Sequence, residues 1–439
     1  RHRLGEGERV VRLKGMEKEE AMLLLSHECK TKSVNISSEQ QMKIYERTHG
    51  IPLAMVWVIG QMGIKELSSE RVIERLDEAA DSPILEFCFR ESLNMLERNE
   101  DRLFRLMAVF AAPVGLKVLK ATSGITDRLD LEDGLGRLIK LSLINKEDDS
   151  YYLLPLTKTF CLQELAKDEL FEKDARLKVA KYYLDYSLKN GGQQNWEGFK
   201  KLNKEMDNIL SSFNWCCDSS EWEMVIRFYN DGVWDFLFQY GYWDEVIELG
   251  KRCLEAAERL EDKKEYARCA IYSLGWIYSP YCLNKPDEVK KLLEEGLRIA
   301  EELDRRYIAT AKRYLGLVAK EERDYKQAET LYNEALEIFK GFGAESQAVG
   351  VILTDLGNLA HAQKDYKAKG YHQKSLEMAQ RLNNESEIAI SLGNLGNVAL
   401  EEKDYEAARG YCQESLRMAQ KMDRVDLIEK KMDRLERRS

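Results

Sequence analysis

Apolar residues recur at helical spacing along most of the chain, broken by short polar turns. EKEEAMLLLSHE sets Met16, Ala21, Leu24 and Leu25 along one face. SEQQMKIYERTHG predicts a second helix that stops at Gly50. IPLAMVWVIGQM, restarted by Pro52, is apolar nearly all round and must be buried. SSERVIERLDEAA opens on a serine cap with Glu70 in its first turn. From Phe87 to Leu165 the pattern changes. ESLNMLERNEDRLFRLMAVFAAP predicts two helices and LEDGLGRLIKLSLIN a third, followed by an extended run, a turn at Glu147-Asp148-Asp149-Ser150 and a short strand in YYLLPL. Three helices closed by a β-hairpin make a winged helix. Arg9-Val10-Val11-Arg12-Leu13 reads as one further short strand.

The second half repeats itself. Leu-Gly pairs fall at Leu274-Gly275, Leu315-Gly316, Leu356-Gly357 and Leu395-Gly396, at steps of 41, 41 and 39 residues. The last three are followed by Asp324-Tyr325, Asp365-Tyr366 and Asp404-Tyr405, then by a second amphipathic run. Helix, tight turn, helix, repeated, is the signature of an α-solenoid, whose units bury their apolar faces only on one another. DYKAKGYHQKSL is one residue shorter than DYEAARGYCQESL, and a residue lost inside a helix would turn its face by about 100°. The omission is therefore expected in the Asp365-Tyr366 turn, with 365–370 the least regular hairpin. WEMVIRFYNDGVWDFLFQYGYW supplies a first hairpin whose aromatic residues are mostly core, and LIEKKMDRLERRS a charged capping helix.

These residues carry a family resemblance. IATAKRYLGLVAKEERDYKQAETLYNEALEIFKGFG resembles the tetratricopeptide repeat, with Leu315 and Gly316 in its first helix, Ala328 and Ala335 in its second and Tyr332 between them. RHRLGEGERVVRLKGMEKEEAMLLL resembles the end of an NB-ARC nucleotide-binding domain, and GIPLAMVWVIGQM its Gly-x-Pro-Leu segment. RLFRLMAVFAAPVGLKVL and LIKLSLINKEDDSYYLLPLTKTFCLQEL are similar to its winged helix, and KEMDNILSSFNWC to the bridge toward the repeats. The order resembles the C-terminal part of a bacterial STAND-type signalling ATPase. The expected fold is all-α: a remnant of the nucleotide-binding domain over 1–15, a helical bundle over 16–82, a winged helix with its short β-hairpin over 87–165, a helical linker over 166–220 and a tetratricopeptide superhelix over 221–434.

The resemblance implies nucleotide contacts. Arg1 stands where the family has its sensor arginine, and Pro52 where its proline packs on adenine. Leu154 stands where many members carry a histidine that reads a phosphate, a contact that leucine cannot make; its plain reading is wing-strand core. ADP or ATP would belong to a longer parent protein, because no G-x-x-x-x-G-K-(S/T) cradle and no magnesium-holding acid pair occur here. This chain by itself is expected to hold no cofactor and to catalyse nothing. The five histidines have no metal or catalytic spacing.

Composition narrows the partners. The 439 residues carry a net charge of −10, and the winged helix's third helix is poor in basic residues, so nucleic acid is an unlikely ligand. No apolar run spans a bilayer, and nine cysteines without a C-x-x-C suit reduced thiols in the cytoplasm. The opening arginine suits a segment of a longer protein. Offsets from the Leu-Gly pairs place Tyr272, Trp276, Arg313, Leu317, Lys320, Thr354, Asn358, His361, Asn397 and Glu401 on or near the groove lined by the first helices. A protein or peptide ligand is expected there, with Arg313 and Lys320 favouring acidic partners. Asn358 and Asn397 resemble the peptide clamp of Leu-Gly-Asn repeats; the alternative is a hydrogen bond between repeats that sets the pitch. Two functional readings remain open. One is the regulatory sensor of a STAND switch, bound to its upstream nucleotide domain and oligomeric once activated. The other is a stand-alone interaction scaffold.

Overall fold

The computed structural model describes residues 15–64, 68–78, 83–192 and 195–421. Arg1, the strand at Arg9–Leu13 and the terminal capping helix lie outside them. The fold is all-α apart from one small sheet. It divides into two compact units: residues up to Ser187 with Lys200–Cys216, and Leu188–Phe199 with residues from Cys217 onward.

In the first unit four helices, Lys18–Lys32, Ser38–Arg47, Pro52–Met62 and Ser69–Glu78, form the bundle. Ser37 and Gln40 close a reciprocal capping box on the second, and the Ser68 hydroxyl accepts from Arg71 N near the start of the fourth. Pro52 occupies the first position of the third, where its missing N–H costs nothing. That helix is the apolar rod its sequence requires: Ala54, Met55, Trp57, Val58 and Ile59 are fully buried. Trp57 packs tilted against Phe89 at 5.4 Å and Phe89 stacks on Phe160 at 5.0 Å, while the Trp57 Nε1–H donates to Ser142 O. Bundle and winged helix thus share one core.

The winged helix follows Ile84–Leu93 as Arg98–Met107, β1 Val114–Gly115, Leu116–Thr122, Arg128–Lys140, β2 Asn145–Glu147 and β3 Ser150–Tyr152. The sheet order is β1-β3-β2, antiparallel throughout. The hairpin is as the sequence indicates; β1 and the seven-residue helix after it are additional, the helix being too short to display a 3.6-residue period. Leu154 is not wing-strand core: it lies past β3, caps the Pro155–Leu165 helix and is 37% exposed. The free side of Arg128–Lys140 presents Asp130 and Asp133. Asn208 ties the 206–218 helix back to this domain, its Oδ1 accepting from Ala111 N and Ala112 N.

The second unit stacks five helical hairpins among the described residues. In the first two, the leading helix contains a π turn. Trp222–Arg227, Phe228–Val233 (π) and Trp234–Tyr240 run on as one rod, paired with Trp243–Arg259; Lys263–Ala267, Arg268–Leu274 (π) and Gly275–Tyr278 form the next, paired with Pro286–Ala300. Arg268 donates to the Asn230 carbonyl within the first π turn at 2.9 Å, a length at which the guanidinium satisfies an acceptor in that widened turn. The remaining hairpins are Arg305–Glu321 with Tyr325–Phe342, Gln347–Ala362 with Lys367–Arg381, and Glu385–Glu401 with Tyr405–Lys421. The short repeat is accommodated where the sequence indicated. Asp324 and Asp404 cap the third residue beyond them, whereas Asp365 accepts from Lys367 N two residues on, and its helix starts late. Beyond that turn the register is restored: Ala368 is buried as Ala328 and Ala408 are.

Candidate functional site

Successive first helices touch one another along the stack: Gly275–Tyr278 meets Arg305–Glu321, which meets Gln347–Ala362, which meets Glu385–Glu401. They form the inner side, and each contributes polar or aromatic groups there.

The centre of this face is an ion pair. Arg313 Nε donates to Asp355 Oδ2 at 2.5 Å, with only 14% and 2% of the two side chains exposed. The Tyr281 hydroxyl donates to Asp355 Oδ1 at 2.8 Å and also meets the Asn358 amide. Three hairpins therefore converge on one carboxylate. Arg313 lies over Trp276 and Tyr314, with its guanidinium carbon 5.8 and 5.5 Å from their ring centres, and Trp276 packs 5.7 Å from both Tyr281 and Tyr314. Burial opposes the Arg313 charge, and the Asp355 carboxylate outweighs it, so the guanidinium is held more firmly protonated than usual. From the fifth hairpin Glu387 faces the same cluster. Burial pushes its carboxyl up, Arg313 pulls it down, and Asp355 adds to the rise.

The residues singled out from sequence divide in two. Tyr272, packed on Tyr307 at 5.2 Å, Trp276, Arg313, Lys320, Asn358, His361, Asn397 and Glu401 all keep some exposure. Leu317 and Thr354 do not: they are 1% and 6% exposed, and the Thr354 hydroxyl bonds Ser375 of its own hairpin at 2.7 Å. Both lie inside the stack because the helix turns that stripe toward its partner. The charges also differ from expectation. Arg313 is neutralised by Asp355, Lys320 sits 3.2 Å from Glu321, and His361 Nε2 lies 3.1 Å from Glu401 Oε2. Among the described residues singled out for this face, each basic group thus has an acidic neighbour. Asn358 is already engaged with Tyr281, whereas Asn397, half-buried at the corresponding point of the next first helix, carries no side-chain hydrogen bond. Pro52, exposed at its helix start, remains only a family-implied adenine contact.

Asp355, Tyr281 and Glu387 were missed from sequence. Asp355 had a signal: it is the one charge within VGVILTDLGNLA, and a charge in an apolar helix requires a partner.

The Leu-Gly glycines explain how the second helices reach this layer. A Cβ on Gly316 would stand 2.6 Å from the Tyr332 ring, on Gly357 2.5 Å from the His372 ring, and on Gly396 2.8 Å from the Cys412 sulfur. Each glycine is a window through which the opposite side chain passes. The His372 imidazole is 1% exposed with Nδ1 unpartnered, and its pKa is lowered to about 4, by burial first and by neighbouring His361 second. Its unfolded value is near 6.5. The folded state thus holds the ring neutral, and the stability this contributes is full above about pH 6.5 and is lost as the pH falls toward 4, on the order of 3 kcal/mol in all. Melting temperature should drop between pH 7.5 and 5, and His372→Tyr, copying the preceding hairpin, should flatten that dependence; an unchanged slope would remove His372 as its source.

Residues 307–368 and 388–422 match models of the tetratricopeptide repeat, so the C-terminal hairpins are tetratricopeptide repeats. The transcription activator GutR of Bacillus subtilis (strain 168) is 23% identical over 425 residues, which take in 90% of this chain and 49% of that protein. The chain spans about half the length of the curated relative it matches. Among solved structures, a STAND protein with a tetratricopeptide repeat sensor from Pyrococcus horikoshii superposes with a TM-score of 0.49 at 19% identity, covering 98% of this chain and 64% of that one. BtubC from P. vanneervenii gives 0.40 at 21% identity over 49% of this chain and 91% of that one. A Rap protein complexed with competence and sporulation factor gives 0.37 at 12% over 96% and 98%. The chain thus ends in tetratricopeptide repeats and is similar over most of its length to part of a transcription activator.

Proposed function

We propose that this chain is the sensor and relay segment of a STAND-type switch, in the cytoplasm: its repeats bind a protein or peptide trigger, and the winged helix and bundle carry that event to an upstream nucleotide-binding domain. The carrying observation is the inner face, where hairpins two to five bring aromatic rings, an amide without a partner and a partly exposed carboxylate to one surface. Such a face suits an extended segment of about five or six residues better than a small substrate. Among the described residues no group of His, Cys, Asp and Glu is arranged to hold a metal, and no helix is long and apolar enough to cross a membrane. Under this reading the segment itself transforms nothing, and ADP or ATP binds the parent's nucleotide domain.

Three measurements test it. Calorimetric titration with ADP and ATP should show no binding to this chain alone, and a micromolar dissociation constant would overturn that part. Against degenerate six-residue peptide pools, Asn397→Ala should cost about 1–3 kcal/mol of affinity with little change in melting. Asn358→Ala should lower both, because it also removes one of the two hydrogen bonds at the Tyr281 hydroxyl. Unchanged affinity in both variants would make the asparagines purely structural. Peptide binding that never alters nucleotide exchange in the full-length protein would favour the stand-alone scaffold.

A further inference from the structure

Resting on the peptide-groove reading, we infer that the groove is a cation-selecting site: Glu387, beside the Asp355–Arg313–Tyr281 cluster, receives an arginine or lysine side chain of the bound segment, with Trp276 and Tyr281 supporting its apolar stem.

The first argument is charge. Asp355 and Glu387 face one cation, Arg313, and that cation is committed to Asp355 by a 2.5 Å hydrogen bond. His361 pairs with Glu401, and Lys320 with Glu321. Among the described residues, the half-buried Glu387 carboxylate has no ion-pair partner of its own. A guanidinium or ammonium group satisfies it at short range in a low-dielectric setting; a second carboxylate would be repelled there.

A second, independent observation comes from the other layer of helices. The Tyr332 side chain is fully buried, passes over Gly316, and its hydroxyl has no hydrogen-bond partner. That hydroxyl lies within the electrostatic reach of Asp355, Tyr281 and Arg313. A buried phenol ordinarily finds a partner; this one is closed to solvent and leaves the layer beneath the cluster one hydrogen bond short. Trp276 and Tyr281 pack 5.7 Å apart and keep part of their rings exposed, a surface suited to the aliphatic and planar parts of a basic side chain.

The test uses the whole chain and fluorescein-labelled six-residue peptide pools, each with one fixed residue: Arg, Lys, Asp, Glu, Leu or Phe. Anisotropy should rank Arg- and Lys-fixed pools first. Glu387→Gln should weaken them by about tenfold and leave Leu-fixed pools unchanged, and Glu387→Lys should turn the preference toward Asp and Glu. Preference of the wild-type chain for acidic or apolar pools would overturn the cation site while leaving the groove intact. A basic preference that survives Glu387→Gln would overturn it as well. Failure of every pool to bind would remove the groove reading together with this one. Should a variant lose its cooperative melt, salt decides: wild-type affinity for Arg-fixed pools must fall between about 50 and 500 mM NaCl, and salt-insensitive binding overturns the proposal.

Discussion

Replacing Asp355 with alanine should cost this protein about 3–5 kcal/mol, the range for stranding one member of a buried ion pair. Arg313 would keep its position between Trp276 and Tyr314 with its charge uncompensated, and Tyr281 would lose its acceptor. The pair itself contributes far less than this figure, because taking two ions from water consumes most of their attraction. The double variant Arg313→Met/Asp355→Leu should therefore recover most of the loss, with Tyr281 still meeting Asn358. Urea unfolding followed by circular dichroism measures both. A double variant no more stable than Asp355→Ala would show that the network, and not the stranded charge, dominates.

The second large effect belongs to the glycine windows. Tyr332→Ala empties the volume of a fully buried ring and should cost about 3–5 kcal/mol. Gly316→Ala should cost about 1–3 kcal/mol even though alanine favours a helix, since its methyl would stand 2.6 and 2.8 Å from two carbons of the ring. Combined, the two should cost less than their sum, for the methyl then enters space the ring has left. Strict additivity in chemical denaturation would show that the two residues do not oppose each other.

Regular features were legible in the sequence and exceptions were not. The Leu-Gly spacing, the Asp-Tyr turns and the one-residue omission at Asp365 each alter a periodic pattern, and periodicity is what a single chain displays. The helix Leu116–Thr122 and strand β1 are too short to have a period. The π turns at Phe228–Val233 and Arg268–Leu274 widen a helix without changing its residue types. At the site, Trp276, Arg313 and Asn358 followed from their offsets. Asp355 and Glu387 did not, because the stacking of hairpins, and no local spacing, brings the fifth hairpin's carboxylate near the third hairpin's guanidinium. Leu317 and Thr354 erred in the opposite sense: an offset selects a stripe of the helix, and packing decides how much of that stripe its partner covers.

Stacked hairpins ordinarily interact only with their immediate neighbours, so each boundary can part on its own. The hydrogen bond from Tyr281 to Asp355 leaves the second hairpin and arrives at the fourth, passing over the third. Mechanically it is a strap across the inside of a spring. Extending the coil tensions this bond as well as the helix contacts, and closing the coil relaxes it. The second, third and fourth hairpins are thereby tied at a single carboxylate, and the boundaries between them do not part independently.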